Sequence, residues 1–567
     1  MRLLQRPFIY PQCRIVRSRF LPPATPARRS FQSSSIIRSS SKSNKTPSSS
    51  SETTSPSNTP FTAPPRPTTA PRPNIDIKHI RQNAPLYAQN CIERNYGAQA
   101  AYPERINALF EEWQTRQRAG RGLRERSNAV RRHLANPATI QHEGDDTAAG
   151  AEGKTEESSS SSNEEKELRG KSRDELLEEA RELKRKLSAI EDEESRLTTE
   201  MEELALAIPN LTSEETPRGD EPRVLTYIND EPATTTTTTG TQCSSSDRIW
   251  RSHVHIGTEL GILDFAGAAT SSGWGWYYLL DEGAQLEQAL IQYALTSVSK
   301  YPGWRRVTPP SVVYSHIAAA CGFQPRDQNG EQQVYALAQN ASDAARGRPE
   351  LSLAGTAEIP LAGMRADTLF ESASELPLKV VGVSRCYRAE AGARGADTKG
   401  LYRVHEFSKV EMFAWTPPDA EATTEVFDEL LDIQTEILEG LGLRCRVLEM
   451  PSTDLGASAS RKCDIEAFFP SRSDGPDGGW GEVTSTSICG DYQTRRLATR
   501  ARVDGRRLTY PWTVNGTALA VPRVLAALLE NGWDEEEMTV AIPECLRPWM
   551  DWKDKIGPKH HLHPRRG

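Results

Sequence analysis

The chain has 567 residues, more than one ordinary domain holds, so we expect a large core with at least one appended module. Its formal net charge of -8 excludes a uniformly basic nucleic-acid-binding coat but leaves room for a local basic patch. The nine cysteines form no CxxC pair or metal-ligand cluster, a pattern typical of a protein in a reducing compartment without structural zinc. The sequence contains no run of about 18 apolar residues, so no membrane span is predicted.

The first 51 residues contain no Asp or Glu, while eight arginines lie among serines and apolar residues. This Arg-rich, Ser-rich and acid-poor composition is typical of a mitochondrial transit peptide, and a basic arm without stable structure is the alternative. We assign residues 1–45 to the transit peptide. Residues 46–73, where Ser, Thr and Pro dominate, cannot bury enough apolar surface to fold and are predicted to be a disordered linker.

Residues 74–215 have the pattern of an antiparallel helical hairpin. Between Leu176 and Ile208, two apolar series recur every seven residues, with one polar break. A second apolar stripe begins upstream at Ile106, and a Ser/Glu/Gly-rich stretch between the two helical patterns has the composition of a tip. We therefore predict a coiled-coil arm.

The first helix of this arm is strongly basic. Its arginines could neutralise backbone phosphates of a nucleic acid, or they could form a solvated face that pairs with the Glu-rich second helix. Spacing alone leaves both interpretations open. The arginines are Arg116, Arg118, Arg121, Arg124, Arg126, Arg131 and Arg132.

The composition changes after the arm. Residues 216–252 include a Thr-rich run and are predicted to be a linker. Residues 253–545 mix apolar and Gly-containing segments, as expected for a core of strands and helices, and residues 546–567 have the composition of a solvated basic tail.

Within the core, two segments have helical periodicity and two have the composition of strands. Leu286–Val298 and Thr517–Asn531 are predicted helices, the second ending before Gly532. Lys379–Val383 and Val404–Ala414 are predicted strands on either side of an irregular charged loop.

Four short patterns follow one another along this core, and together they resemble the motifs of class II aminoacyl-tRNA synthetases of the seryl type. The resemblance extends over roughly residues 75–545 and implies an α+β fold, in which an antiparallel sheet is braced by helices and preceded by an antiparallel coiled-coil arm. The GxxxxGK[ST] and GxGxxG elements of other nucleotide-binding folds are absent from the sequence. The patterns are Thr356-Ala357-Glu358, Cys386 to Gly392 with Arg403 to Glu411, Glu482-Val483-Thr484-Ser485, and Asn515 to Arg523.

The resemblance implies an enzyme that activates serine with ATP and joins it to tRNA(Ser), with Mg²⁺ bound through ATP and no zinc. It also implies a homodimer, formed around Gly283–Pro310, and the transit peptide places the protein in the mitochondrial matrix. One rival interpretation is a non-catalytic, synthetase-like mitochondrial protein with an RNA-binding or structural role. A class II ligase for threonine or proline is another, although the arm and the Thr356–Glu358 pattern argue against it.

The resemblance also assigns roles in ATP binding. Arg388 would bridge the serine carboxylate and the α-phosphate, as a guanidinium can do with two hydrogen bonds. Arg523 would contact the distal phosphates, and these two arginines are the predicted catalytic residues. The whole predicted ATP site is Arg388, Glu390 (adenine amino group), Phe407 (adenine stacking), Glu482, Val483, Thr484, Ser485 and Arg523, with Glu482 and Ser485 as the Mg²⁺ ligands.

Serine selection follows from the same resemblance. Glu411 would accept a hydrogen bond from the serine hydroxyl, so that alanine leaves it unsatisfied. The predicted serine-binding residues are Thr356, Ala357, Glu358, Arg388, Glu411, Asn515 and Thr517. In the family the arm reaches the long variable arm of serine tRNA, which makes the seven arginines of the first helix candidate phosphate contacts.

Overall fold

A computed structural model describes residues 70–135, 167–168, 170–230, 251–323, 332–390, 400–475, 477–503, 505 and 507–558. The predicted transit peptide, most of the predicted linker that follows it, and the predicted arm tip lie outside the described residues, as does the end of the tail. Among the helices that are described, none is long and apolar enough to cross a membrane.

Among the described residues, the N-terminal module is formed mainly by four α-helices. Helices α1 (Ile77–Gln82) and α2 (Ala84–Glu93) pack at its root, and α3 (Tyr102–Ala135) and α4 (Arg173–Ala207) form the long hairpin. Helix α4 begins with a capping box between the Ser172 and Glu175 side chains and the opposing backbone amides. At 1.5 Å per residue, each long helix extends about 50 Å.

The predicted heptad seam is the contact between α3 and α4. Leu176 and Leu197 are fully buried against α3. The polar break in the seam, Glu194, is satisfied because Arg124 Nη2 of α3 donates to both of its carboxylate oxygens at 2.8 Å. A bidentate ion pair thus occupies the position where the apolar pattern fails.

The described part of the core contains shorter helices, one large sheet and several sheets of two or three strands. The strands are β1 Arg223–Ile228, β2 Leu263–Asp264, β3 Tyr278–Leu279, β4 Trp304–Val307, β5 Val312–Tyr314, β6 Leu351–Leu353, β7 Leu369–Phe370, β8 Leu378–Tyr387, β9 Glu406–Thr416, β10 Cys445–Glu449, β11 Arg461–Phe468, β12 Trp480–Gly490, β13 Arg500–Arg502, β14 Leu508–Thr509, β15 Trp512–Ala520, β16 Trp533–Asp534, β17 Thr539–Ala541 and β18 Lys555–Ile556. The α-helices are α5 His253–Glu259, α6 Phe265–Ser271, α7 Glu282–Val298, α8 Ser315–Ala320, α9 Ala341–Ala345, α10 Glu358–Gly363, α11 Ala420–Gly440, α12 Tyr492–Leu497 and α13 Val521–Asn531.

Eight strands form the main sheet in the order β1-β10-β11-β12-β15-β9-β8-β4. All neighbours are antiparallel except β4 and β8. Helices α7, α11 and α13 cover one face and bury the largest apolar cluster there. A second apolar cluster, which includes residues of α8 and α10, lies against β8 and β9. The resulting α+β architecture confirms the predicted fold class.

The root of the arm is fixed to the core through main-chain carbonyls. Arg94, which ends α2 and is 1% exposed, donates to the carbonyls of Asn210 and Gly456. Arg496 of α12 donates to the carbonyls of Leu206 and Ile208 at the end of α4, at 3.1 and 3.3 Å. A cation at a helix C-terminus also complements the helix dipole.

Three sequence predictions need correction. Thr517–Ala520 is not helical but completes β15, because these residues pair with β9; the helix begins at Val521, with Pro522 in its first turn. The segment predicted as a linker, 216–252, contains β1, which pairs with β10. The predicted tail, 546–567, contains β18, which pairs with β17 and so belongs to the core.

Candidate active site

The candidate site lies on the face of the sheet opposite α7, α11 and α13. In β9, Val410 and Met412 point into the core under those helices, so the alternation of a strand directs Lys409 and Glu411 to the other face. The neighbouring strand β15 places Thr517 directly opposite Glu411. The sheet register therefore brings two of the predicted motifs together.

The start of α13 carries the guanidinium of Arg523 into this site. Its Nη1 donates to the Glu482 carboxylate at 3.1 Å and to the Glu482 carbonyl at 3.0 Å, and its Nε donates to the Tyr402 carbonyl at 3.1 Å. The Tyr402 ring centroid lies 4.7 Å from the guanidinium carbon. Four contacts thus fix the direction of this arginine.

Glu482 is ionised in this environment. Burial alone would raise its pKa, but the nearby cations of Arg523, Lys462 and Arg388 outweigh burial and lower the pKa to about 2. Its side chain is 39% exposed, into the pocket, and Ser485 of the same strand also lines that pocket. An ionised carboxylate and a hydroxyl group in one pocket match the oxygen ligands that Mg²⁺ prefers.

Arg388 and Phe407 face one another across the pocket. The guanidinium carbon of Arg388 lies 5.3 Å from the Phe407 ring centroid, and its Nε is 3.5 Å from the Gly355 carbonyl. Glu390 accepts a hydrogen bond from Arg403 at 2.8 Å. An aromatic face and a guanidinium here form a slot suited to a flat heterocycle next to an anion.

One pocket brings these groups together. Of the predicted ATP-site residues, all eight line it, and Thr517 of the predicted serine site lines it as well. Sequence reasoning had not assigned the remaining lining residues to the site. The lining consists of Arg388, Glu390, Tyr402, Arg403, Val404, Phe407, Lys409, Glu482, Val483, Thr484, Ser485, Thr517, Ala520, Pro522 and Arg523.

The predicted serine residues form a more deeply buried group. Glu358 is 6% exposed and accepts a hydrogen bond from Gln493 Nε2 at 2.6 Å, and its own backbone amide is 3.4 Å from the Thr356 hydroxyl. Burial, followed by the charge of Glu411, raises the pKa of Glu358 to about 8. Ala357 precedes Glu358 at the start of α10 and is fully buried.

Glu411 connects this group to the pocket. It lies 2.6 Å from Lys409 Nζ and accepts from the Thr517 hydroxyl at 3.2 Å. The Thr517 hydroxyl is also 3.3 Å from Lys409 Nζ. Asn515, two residues earlier on β15, has its side-chain oxygen 3.4 Å from Cys489 Sγ. The floor of the candidate serine site therefore consists of the Glu411 carboxylate, which is buried behind the pocket, and of the Lys409 ammonium and the Thr517 hydroxyl, whose residues line it.

Sequence reasoning missed four side chains that shape the site: Lys409, Gln493, Tyr402 and Gln434. Gln434 Nε2 donates to the Ser485 and Thr517 carbonyls, at 2.9 and 2.8 Å, and so holds β12 and β15 together under the pocket. The available signal was its place on the apolar face of α11, where a fully buried amide must find partners. Lys409 lies inside one of the quoted motifs, Tyr402 lies beside one, and Gln493 lies between the last two, but none of the three was assigned a role.

The seven arginines of the arm lie on α3 and do not line this pocket. Two of them are engaged across the hairpin: Arg124 with Glu194, and Arg126 with Glu179 at 2.7 Å. Arg116, Arg118, Arg121, Arg131 and Arg132 are exposed. Arg124 and Arg126 thus fit the interpretation in which the basic helix pairs with the Glu-rich helix. The five exposed arginines are the ones that remain available to a nucleic acid.

An antiparallel sheet that carries this pocket is the catalytic domain of a class II aminoacyl-tRNA synthetase. In agreement, the family model described as tRNA synthetase class II core domain (G, H, P, S and T) matches residues 342–532.

Individual relatives narrow the class. The chain is 44% identical over 359 residues to the mitochondrial serine–tRNA ligase of Saccharomyces cerevisiae, a match that covers 63% of this chain and 74% of that protein. It is 38% identical over 477 residues to the mitochondrial serine–tRNA ligase of Schizosaccharomyces pombe, covering 84% and 88%. The solved seryl-tRNA synthetase of Pyrococcus horikoshii, complexed with ATP, matches with a TM-score of 0.69 at 29% identity, over 86% of this chain and 100% of that chain. The chain belongs to the seryl-tRNA synthetase family.

Proposed function

We propose that the protein is a serine–tRNA ligase of the mitochondrial matrix, which forms seryl-adenylate from serine and ATP and transfers the seryl group to tRNA(Ser), releasing pyrophosphate and AMP. The observation that carries this proposal is the convergence of Arg388 and Arg523 in one pocket with Glu482 and Phe407. A non-catalytic relative has no need to keep two guanidinium groups, a carboxylate and an aromatic face aimed at a common space.

In the first step the serine carboxylate attacks the α-phosphate, and pyrophosphate leaves. The two reacting groups are anions, so Arg388 neutralises both while it holds them in contact. Arg523 stabilises the charge that develops on the departing phosphates. Phe407 stacks on adenine, and Glu390 accepts from its amino group. No protein nucleophile takes part.

Glu482 and Ser485 are the residues that would hold Mg²⁺ with the phosphates of ATP. The ion supplies electrostatic stabilisation of phosphate charge when bound. Because the pKa of Glu482 is lowered to about 2, its carboxylate is available to a cation at every physiological pH. Arg523 Nη1 donates to the same carboxylate at 3.1 Å. The guanidinium of Arg523 is therefore next to the proposed site of Mg²⁺ and the ATP phosphates.

Serine is recognised on the floor of the pocket. We assign the substrate ammonium to the buried Glu358 and the substrate hydroxyl to Glu411, with Thr356, Asn515 and Thr517 around them. Alanine leaves Glu411 without its hydrogen bond, which a buried polar site does not tolerate. Threonine, which carries an additional methyl group, is excluded by its size.

Two further assignments concern partners. The exposed arginines of α3 contact phosphates of tRNA(Ser), because a row of cations on a protruding arm binds a polyanion without reading its sequence. Homodimerisation uses Gly283–Pro310, which contains α7 and β4; β4 supports this role because it is an edge strand of the main sheet. The acid-poor N-terminus supports delivery to the matrix.

The decisive experiment measures ATP–pyrophosphate exchange by the purified chain without residues 1–45. Exchange should occur with serine and should be absent with alanine, threonine or proline. Arg388→Ala should abolish exchange, since it removes the guanidinium that is proposed to bridge the two anions. Absence of exchange in the unmutated chain would instead favour the non-catalytic alternative. Exchange that does not depend on serine would contradict serine as the substrate, and exchange with threonine or proline would favour a different ligase.

A further inference from the structure

A buried carboxylate and a buried imidazole meet just outside the candidate ATP site. His253 begins α5 and is 5% exposed; Glu530, in the last turn of α13, is 1% exposed. Glu530 Oε1 accepts from the His253 backbone amide at 3.0 Å and lies 2.8 Å from His253 Nδ1. Neither residue lines the pocket.

The other imidazole nitrogen defines the tautomer. The backbone amide of Leu401 donates to His253 Nε2 at 3.1 Å, so that nitrogen carries no proton and Nδ1 donates to Glu530. Gly400 makes this approach possible. It has a φ of +80°, and a Cβ atom there would lie 2.2 Å from His253 Nε2.

Glu530 also holds a third segment. Its second oxygen accepts from the backbone amide of Ser471 at 3.2 Å, at the start of the Gly- and Asp-rich stretch that leads into β12. Burial opposes the ionisation of Glu530, but the hydrogen bonds from His253 outweigh burial and lower its pKa. One carboxylate therefore ties α5 and the approach to β12 to the end of α13.

These contacts lead back to Arg523. Arg523 stands seven residues before Glu530, two turns away on the same helix. Leu401, held by His253, is followed by Tyr402, whose carbonyl accepts from Arg523 Nε at 3.1 Å. These contacts form a closed ring. It runs from Arg523 through Tyr402, Leu401 and His253 to Glu530, which lies on the same helix as Arg523.

We propose that His253 and Glu530 are positioning residues of the ATP site: they clamp the backbone at Leu401 to α13 and thereby aim Arg523 at the distal phosphates. The inference rests on the proposed function in one respect, the binding of ATP phosphates by Arg523. Losing the clamp frees the Tyr402 carbonyl, and Arg523 loses one of the contacts that set its direction. None of the hydrogen bonds of this clamp involves a residue of the candidate serine site.

Two substitutions at one position separate the two bonds of the imidazole. In His253→Gln, the amide oxygen can reach the position of Nε2 and accept from Leu401. In His253→Asn, the shorter amide can reach only Glu530, so the bond to Leu401 is lost. Gly400→Ala removes the same bond from the opposite side, by steric displacement. A matched control is Glu449→Gln, because Glu449 is also fully buried and accepts from Arg461 at 2.9 Å on both oxygens, in strands β10 and β11.

The experiment measures the Kd of ATP by calorimetry and the KM values of ATP and serine in pyrophosphate exchange, with a urea midpoint for each variant. His253→Asn and Gly400→Ala should raise the Kd and KM of ATP about tenfold, with the KM of serine changed less than about twofold, and His253→Gln should restore most of the ATP affinity. Glu449→Gln should lower the urea midpoint without changing either KM.

Equal ATP affinity in His253→Asn, Gly400→Ala and the unmutated chain would overturn the inference, and so would equal losses for ATP and serine, which would indicate a merely structural pair. These outcomes leave the proposed function intact as long as the unmutated chain shows serine-dependent exchange. If that exchange is absent, the proposed function fails, while the calorimetric comparison still decides whether the clamp supports ATP binding.

Discussion

Glu358 is a buried carboxyl group whose proposed role requires it to be ionised. Its pKa, raised to about 8 by burial and then by Glu411, means that most empty sites are protonated at pH 7. Binding of the serine ammonium favours the ionised form, so it must release a proton. The Kd of serine should therefore fall about tenfold per unit as the pH rises towards 8 and then level off. Calorimetry in buffers of different ionisation enthalpy measures both the Kd and the released proton.

Gln493 provides a sharper test of the same carboxyl group. Its amide stabilises the ionised form of Glu358 through the 2.6 Å hydrogen bond, so Gln493→Leu should move the levelling point to higher pH and weaken serine binding about tenfold at pH 7. Thr494→Val is the matched control, because Thr494 is equally buried in α12 but donates to the Pro511 carbonyl. A pH-independent Kd in the unmutated chain would contradict the assignment of the ammonium to Glu358.

The roles of individual residues were only partly predictable from the sequence. The four motifs identified Arg388, Glu482 and Arg523 because each motif is a local string. Gln493 and Lys409 were missed, although they contact the two candidate serine-site carboxylates Glu358 and Glu411, because the role of Gln493 depends on a partner distant in the sequence and Lys409 was quoted only as part of a motif. Local spacing does not reveal that Gln493 of α12 reaches Glu358, 135 residues earlier.

At the level of elements, the arm combines two kinds of arginine. Arg124 and Arg126 are partly buried and paired with glutamates of α4, so they stabilise the hairpin. Arg131 and Arg132 are exposed towards the far end of α3. Substitution of the first pair would therefore confuse arm stability with tRNA binding, which makes the second pair the better probe of the proposed tRNA contact.

The double variant Arg131→Ala with Arg132→Ala should leave serine-dependent exchange unchanged and raise the KM of tRNA about tenfold. The plot of log tRNA affinity against log salt concentration should become less steep, its slope decreasing in magnitude by roughly 1.5, because two phosphate contacts are lost. Filter binding at several salt concentrations gives the slope. Lys184→Ala with Arg185→Ala, two exposed cations on α4, is the matched control. Equal losses in both variants would show that net charge, and not the α3 face, binds the tRNA.

The accuracy of the element predictions followed the range of the interactions involved. The α3–α4 hairpin was predictable because a heptad seam is written in one continuous pattern. Strand β1 was not predicted, although its sequence RVLTYI contains β-branched and aromatic residues, because so short a segment becomes a strand only through its pairing with β10 more than 200 residues later. Thr517–Ala520 was assigned to a helix for the same reason: its pairing with β9 is decided outside the segment.

For the molecule as a whole, an exposed apolar surface is a candidate interface for the proposed homodimer. Close in the chain to the edge strand β4, the small sheet of β5 and β6 exposes Val312 (42%), Tyr314 (50%) and Leu351 (38%). Contiguous apolar side chains on a protein surface commonly mark a contact with another chain. We expect sedimentation velocity at micromolar concentration to give a dimer, and Tyr314→Asp to shift it towards monomer.

The control for this prediction is Leu177→Asp, because Leu177 is similarly exposed (37%) but lies on α4 of the arm. It should leave the dimer unchanged. A monomer in the unmutated chain at tens of micromolar would contradict the proposed assembly, and a dimer that resists Tyr314→Asp would move the interface elsewhere.

The attachment of the arm has an evolutionary consequence. Arg94 of the arm and Arg496 of the core donate hydrogen bonds to main-chain carbonyls where the arm meets the core. Every residue type has such a carbonyl. The side chains of α3 and α4 can therefore change without loss of these hydrogen bonds, provided that the backbone leaves α4 in the same direction. An arm attached in this way can therefore change in length and charge while the catalytic sheet stays as it is.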